Sequence, residues 1–280
     1  MKPFFDKIIV AVFIVSTISC SYEYDNDIIN ATKNKDIRSV EHNLKNGTNI
    51  NIRDKDGFTP LIWASFMNYK NIVNLLLKNN ADISAKNKYG ETALAVASFK
   101  GCDRIAEKLI MYKADINTAN KDSVTPLMYS ATHGFKKIVI LLLKSNVNVD
   151  AVSKERLTAL AYACLNDKYD IAELLIKNKA NVNFKFQGDD DILMQLAIQG
   201  NTKMARLLIE HGALINARNA SMDTPLMAAC RNRNFDMVNL LLGYKADLQA
   251  KDENGETALV HAKRTAEKKV IDLLLSAGAK

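Results

Sequence analysis

Several features on which catalytic and cofactor sites depend are missing from this 280-residue sequence. No glycine-rich phosphate loop follows a strand-like segment, and the four histidines lack the spacing of metal ligands. Lysine and arginine do not cluster as in a nucleic-acid-binding patch, although the net charge is +7. We therefore expect no enzyme activity, cofactor, metal, nucleic-acid partner or small-molecule substrate.

What the sequence does contain is a short pattern that returns with a fixed step of 33 residues. Each copy begins with a threonine, or once an aspartate, followed by small and apolar residues; the starting positions are Thr59, Thr92, Thr125, Thr158, Asp191, Thr224 and Thr257. A second apolar block, such as Leu75-Leu76-Leu77, follows about sixteen residues after the start of most copies. A fixed period of this length predicts a solenoid of stacked units.

One unit of the pattern predicts two helices. Thr59 is a suitable N-cap, and Pro60 suits the first helical position because its missing N–H is not needed there. Leu61 and Ala64 place small and apolar side chains on one face of this first helix. A second helix follows, with apolar residues at helical spacing: Ile72, Val73, Leu76 and Leu77. Each unit is therefore expected to be stable only against its neighbours.

The TPL or TAL motif, the LLL block and the tails at 114–117 and 180–183 occur together, and the sequence thereby resembles the ankyrin-repeat family. The resemblance implies an all-α solenoid of helix-turn-helix units with β-turn or hairpin tips. It covers residues 26–280 as about eight repeats, of which the first and last are degenerate caps. The family's glycine after the second helix is replaced at Asn80, Lys113, Asn146, Lys179 and Lys245, which raises doubt about stability.

The first residues are predicted to be a targeting segment. A basic start is followed by an apolar run, Ile8 to Ile18, that is too short for a comfortable membrane span. A small residue then precedes Cys20, which resembles the signal of bacterial lipoproteins. The resemblance implies a signal peptide over residues 1–19, a lipid anchor on Cys20 and a short tether over 20–25. The alternative is an ordinary secretory signal with an incidental cysteine.

The remaining cysteines and the best acidic cluster are expected to be structural. Cys164 and Cys230 are two repeats apart, about 20 Å at 8–10 Å per helix layer, which is too far for a disulfide. Together with Cys102 they are expected to pack as free thiols. The run 189–191 falls at the start of a first helix, where aspartate caps N–H groups, although a cation site is the alternative. His261 is expected to be a packed side chain.

A partner-binding face is implied by the same resemblance, at the turn tips and the exposed side of the first helices. Repeats two and three carry residues there for which the repeat pattern gives no core position: Phe58, Phe66, Met67, Tyr89, Phe99 and Lys100. Later repeats carry polar residues at equivalent positions, including Asn166, Gln199 and Arg231. Exposed apolar residues with basic neighbours indicate an interface. The alternative is that they only fill a degenerate repeat, and Trp63 is expected in the core.

The function predicted from the sequence is non-catalytic binding of a protein partner. The chain is expected to be exported and lipid-anchored through Cys20 in a bacterial cell envelope, in the periplasm or on the outer surface. Two alternatives stay open. One is a secreted factor that acts on a host or extracellular protein, and the other is a structural spacer of the envelope.

Overall fold

The computed structural model of the protein describes residues 27–186 and 189–280. Within these ranges the secondary structure consists of sixteen helices, apart from one isolated antiparallel bridge between Lys185 and Asp191. The helices form eight consecutive pairs, so the expected all-α repeat architecture is confirmed. The signal segment 1–19, Cys20 and the tether lie outside the described residues.

The helices of the eight pairs follow one another in chain order. They are α1 Asp27–Lys33 and α2 Ile37–Lys45; α3 Pro60–Phe66 and α4 Lys70–Lys78; α5 Ala93–Lys100 and α6 Asp103–Met111; α7 Pro126–His133 and α8 Lys136–Lys144; α9 Ala159–Leu165 and α10 Tyr169–Lys177; α11 Ile192–Gln199 and α12 Thr202–Glu210; α13 Pro225–Arg231 and α14 Phe235–Gly243; α15 Ala258–Thr265 and α16 Lys268–Ser276. No helix in the described part of the chain has the length and apolar character needed to cross a bilayer.

The predicted N-caps begin the first helices of six repeats. The Thr59 hydroxyl accepts a hydrogen bond from the backbone N–H of Ile62 at 3.3 Å, and the same bond recurs at Thr92, Thr125, Thr158 and Thr224. Asp191 accepts the corresponding bond from Met194 at 2.8 Å, so its predicted capping role is confirmed. Thr257 differs, because its hydroxyl is buried and accepts no cap bond.

The helices form two layers with the core between them. Each first helix packs against the first helices of the adjacent repeats, and the second helices form the other layer. Leu61 and Leu76 are 1% and 0% exposed, as the apolar pattern predicts. The three cysteines of this region, Cys102, Cys164 and Cys230, are free and buried, which agrees with the expected structural role. Burial raises the pKa of the Cys230 thiol to about 12.

The residues that replace glycine after the second helices keep glycine's backbone conformation. Their φ angles are positive, between 60° and 68°, at Asn80, Lys113, Asn146, Lys179 and Lys245. Side chains with a Cβ are disfavoured in this left-handed region by roughly 1–2 kcal/mol. The backbone therefore keeps the same conformation despite the substitutions. The expected cost in stability comes from the three lysines, since asparagine adopts this conformation more readily.

The junction between repeats five and six is looser than the others. Helices α9 and α11 pack against each other less extensively than any other neighbouring first helices, and α10 and α12 contact each other little. Leu196 occupies the position at which other repeats carry alanine or serine, as at Ala64, Ala97 and Ser130. Leu196 alone does not explain the difference, because α11 packs closely against α13 on its other side. The repeat register nevertheless continues through α11 and α12, as predicted.

Candidate partner-binding face

The turn tips form one edge of the surface on which a partner was predicted to bind. In repeat two the backbone N–H of Gly57 donates to Asp54 O at 2.8 Å, which closes a β-turn. The next tip is fastened to this one, because the Lys88 N–H donates to Asp56 O at 2.9 Å. A Cβ on Gly57, whose φ is +76°, would lie 2.9 Å from that Lys88 nitrogen. The glycine is therefore needed where the two tips meet.

Aromatic side chains of repeat two form a cluster behind this edge. The ring centroids of Phe58 and Trp63 are 4.8 Å apart, and Phe66 meets both rings edge-on at 6.5 and 5.9 Å. Phe58 is only 6% exposed, so the prediction that it lies on the open surface is wrong. Phe58, which precedes the cap residue Thr59, folds back onto α3, where the Trp63 ring packs against it. Trp63, also 6% exposed, belongs to the core as expected.

Phe66, Tyr89 and Phe99 are half-buried, and each packs against the core. The expectation that these residues have no core contacts is therefore wrong. Phe99 contacts Tyr129 edge-on, with ring centroids 5.4 Å apart, so it supports the next repeat. One part of each ring is covered by neighbours and another part still faces solvent. These three residues belong to the core and to the surface at once.

Met67 and Lys100 lie on the surface, as predicted. Met67 is 40% exposed, and Lys100 is exposed as well. The Lys100 Nζ lies 4.7 Å from the ring centroid of Phe66, within the range of a cation–π contact. This contact joins repeats two and three on their exposed side. We call the set Phe66, Met67, Tyr89, Phe99 and Lys100 the aromatic patch.

Four lysines occupy the same position of successive turn tips, and all of them are exposed: Lys55, Lys88, Lys121 and Lys154. Lys88 pairs with Asp56 and Lys154 with Asp122. The hydrogen bond to Asp56 is the main cause that raises the pKa of Lys88. The 33-residue step aligns all four positions. They form a basic row along the turn tips of repeats two to five, and the Lys88 Nζ lies 5.1 Å from the ring centroid of Tyr89 in the aromatic patch.

A buried polar network supports the face between repeats three and four. The Tyr129 hydroxyl donates to Glu91 Oε1 at 2.8 Å, and Asn120 Nδ2 donates to that hydroxyl at 2.9 Å. Asn87 Nδ2 donates to the other Glu91 oxygen at 2.9 Å. Burial, followed by the charge of Glu91, raises the pKa of Tyr129. The sequence did not reveal this network because Glu91 and Tyr129 belong to different repeats.

The chemistry of the face changes towards the C-terminus. The position of Phe66 holds a series of different residues along the array: Phe66, Phe99, Thr132, Leu165, Ile198, Arg231 and Arg264. Leu165 and Ile198 show that the change is more gradual than the predicted contrast of aromatic against polar residues. Arg231 pairs with Asp223, and Arg264 pairs with Glu256. Both arginines are therefore engaged by carboxylates of their own repeats.

The acidic run at 189–191 is held by structural contacts at two of its three positions. Asp191 caps α11, and the Asp190 carboxylate accepts from Gln195 at 2.7 Å and from Asn219 at 2.8 Å. Burial is the main cause that raises the pKa of the Asp191 carboxyl. His261 is 5% exposed and contacts Asp252, which agrees with its predicted packed position.

A family model described as ankyrin repeats, in three copies, matches residues 28–120, 103–186 and 193–280. The chain belongs to the ankyrin-repeat family. The interval between the last two matches, residues 187–192, lies between repeats five and six. A comparison with curated proteins found no match. Ankyrin repeats are generally non-catalytic scaffolds for protein–protein interaction, and this chain is such a repeat array.

Proposed function

We propose that this ankyrin-repeat protein is an exported, lipid-anchored scaffold of a bacterial cell envelope, and that a partner protein binds the concave face of repeats two and three. The aromatic patch is the observation that supports this binding location. It combines exposed Met67 and Lys100 with the half-exposed rings of Phe66, Tyr89 and Phe99. Aromatic anchors of this kind dominate the affinity of many protein interfaces.

Folding alone does not require an apolar patch at these positions. The residues equivalent to Met67 in repeats five to seven are Asn166, Gln199 and Asn232, and those repeats form both helices. At the position of Phe66, repeats seven and eight carry arginines in ion pairs. Repeats two and three thus present apolar surface where the same fold accepts polar residues.

The basic row at the turn tips suggests the chemistry of the partner. The row is formed by Lys55, Lys88, Lys121 and Lys154, and Lys88 contacts Tyr89 of the aromatic patch. A partner segment with apolar side chains flanked by carboxylates would complement both surfaces, and long-range attraction would favour its association. Salt should therefore weaken the association more than it weakens the fold.

The proposed anchor would place this surface near the membrane. Residues 21–25 between Cys20 and the first repeat reach at most about 17 Å when extended. Each repeat then adds roughly 8–10 Å, so repeats two and three would lie within a few helix layers of the bilayer. A partner at the aromatic patch would therefore be a protein of the same membrane or one that approaches it closely.

The patch is tested by substitutions at the exposed positions, which leave the core contacts in place. Met67→Glu combined with Lys100→Glu should reduce recovery of the partner from an envelope extract by tenfold or more, because an interface anchor contributes about 2 kcal/mol. Asn232→Glu at the equivalent position of repeat seven is the matched control and should not change recovery. All variants should stay folded and lose about 1 kcal/mol or less of the free energy of unfolding, since Lys100 gives up its contact with Phe66 and Asn232 its hydrogen bond to Ala228 O.

A photo-crosslinking amino acid at position 67 or 232 makes the same test independent of binding strength. We expect a discrete crosslinked species from position 67 and none from position 232. Equal crosslinking from both positions, or equal recovery by all variants, would place the partner elsewhere on the array.

The anchor is tested separately. Cys20→Ser should abolish fatty-acid labelling and release the protein from the membrane fraction, while the purified variant still captures the partner. A variant that stays membrane-bound and is processed normally would contradict lipidation. It would leave the binding proposal untouched.

A further inference from the structure

Three potential metal ligands converge between the last two repeats. They are Asp223 and Asp252 from the turn tips before α13 and α15, and His261 from α15 itself; their ligand atoms all lie within 4.8 Å of one another. The three residues are between 5% and 8% exposed. They lie well away in sequence from the aromatic patch, and the function proposed above makes no use of them.

The carboxylate of Asp223 carries an oxygen with no partner. Its Oδ2 pairs with Arg231, whereas Oδ1 is buried and accepts no hydrogen bond. The side chain is only 8% exposed. Leaving a buried charged acceptor unsatisfied costs at least the desolvation of that atom. An unsatisfied carboxylate oxygen beside a histidine and a second carboxylate is the arrangement that a cation would complete.

The His261 ring lies between two carboxylates. His261 Nε2 lies 2.9 Å from Asp252 Oδ2, and Glu256 Oε2 lies 4.0 Å from Nδ1 on the other side of the ring. The second separation is longer than a hydrogen bond, so Glu256, which is paired with Arg264, places negative charge near the ring without fixing its orientation. Ligands at about 2.0–2.2 Å from a tetrahedral ion lie roughly 3.4 Å from one another. Small side-chain adjustments would bring the three residues to that spacing.

We propose that Asp223, Asp252 and His261 form a site for zinc or a similar first-row divalent ion at the junction of repeats seven and eight. One imidazole and two carboxylates suit such an ion better than calcium or magnesium, which prefer sets of oxygen ligands. Asp252 and the free oxygen of Asp223 would face the ion, while Arg231 already offsets part of the Asp223 charge. Because the ligands come from two repeats, the ion would fasten the C-terminal cap to the array. This inference departs from our expectation from sequence that no metal is bound.

The test is a zinc titration of the purified chain after chelator treatment and desalting. We expect one equivalent of zinc to bind and to raise the melting temperature, since a ligand of the folded state stabilises it. His261→Gln and Asp223→Asn should each weaken binding by more than tenfold and remove the thermal shift. His211→Gln changes an exposed histidine of repeat six and is the matched control; it should bind as the unaltered chain does.

Asp223→Asn keeps an oxygen that can accept from Arg231, so it tests the site even if His261→Gln does not fold. Substitution of cobalt(II) should give a spectrum without thiolate charge-transfer bands, because the buried cysteines are not the expected ligands. The proposal would be overturned by any of three results: no saturable binding at micromolar zinc, equal binding by Asp223→Asn, or thiolate bands in the cobalt spectrum.

Discussion

Repeats two and eight satisfy the polar atoms of equivalent buried positions with different side chains. The residue four positions after the threonine that begins the first helix has a large side chain. This side chain contacts the residue that stands nine positions before it in the sequence. Trp63 donates to Asp54 at 2.8 Å in repeat two, whereas His261 contacts Asp252 at 2.9 Å in repeat eight. The backbone geometry requires only that the buried polar atom has a partner. The two residues that form the contact can therefore differ between repeats, and they can serve a function of that repeat.

The residues around Trp63 and around His261 also differ in their chemistry. Around Trp63 the face is aromatic, with Phe58 and Phe66 in contact with the indole ring. Around His261 it is ionic, with Glu256 paired to Arg264. A repeat array can therefore carry two unrelated surfaces on one scaffold, because each repeat depends on its neighbours and not on the whole chain.

The largest effect is expected when the Trp63 side chain of repeat two is removed. Trp63→Ala should lower the free energy of unfolding by about 3–5 kcal/mol, as for other buried tryptophans, and leave Asp54 without its indole donor. Val96→Ala at the same position of repeat three is the control, with a loss of about 2 kcal/mol for two methyl groups. Urea denaturation followed by circular dichroism measures both. Equal losses would mean that the aromatic cluster adds nothing specific.

A smaller effect is expected when only a hydroxyl is removed. Tyr129→Phe should cost about 1–3 kcal/mol, because the buried Glu91 carboxylate loses a donor. Tyr162→Phe is the matched control, since its hydroxyl makes only 3.3 Å contacts with Ser153 and Glu155. The same denaturation measurement should find a clearly smaller loss there. A larger loss for Tyr162→Phe would contradict the role assigned to the Glu91 network.

Alkaline pH should weaken the fold through the buried hydroxyl of Tyr162. Burial raises the pKa of Tyr162 to about 12, above the value of about 10 in the unfolded chain. The folded state then holds the phenolic proton more tightly, so this stabilisation is present below pH 10 and is lost as the pH rises towards 12. Tyr162→Phe should make the fall in stability over this interval shallower. An unchanged slope would mean that the hydroxyl ionises without cost to the fold.

The smallest effect should be the same in both halves. Lys113→Gly and Lys245→Gly should each raise the free energy of unfolding by about 0.5–1 kcal/mol, because both lysines have φ of 63°. The gain depends on the backbone and not on the surface chemistry. Thermal melting of the two variants measures it, and a gain confined to one half would indicate that the left-handed lysines also serve local contacts.

The sequence predicted the parts of this structure that depend on local chemistry. Thr59 and four of its equivalents cap helices, and Asp191 does the same, because a cap involves residues only three positions apart. The exposure of Phe58 was predicted wrongly, since it depends on the direction in which a turn residue folds back. The Glu91–Tyr129 bond and the Asp223, Asp252 and His261 cluster were missed because they join side chains across repeats. A 33-residue step aligns equivalent positions, but it does not indicate which unlike positions meet.

The loose junction between α9 and α11 has a mechanical consequence. In an array held at one end and pulled at the other, the tension passes through every junction in series. Each junction bears the same load, and the least packed one should part first. Repeats six to eight would then separate as one block, while repeats one to five, with the aromatic patch, stay stacked. Because both blocks stay folded, single-molecule extension should record a first rupture shorter than one unfolded repeat, before the longer ruptures of unfolding repeats.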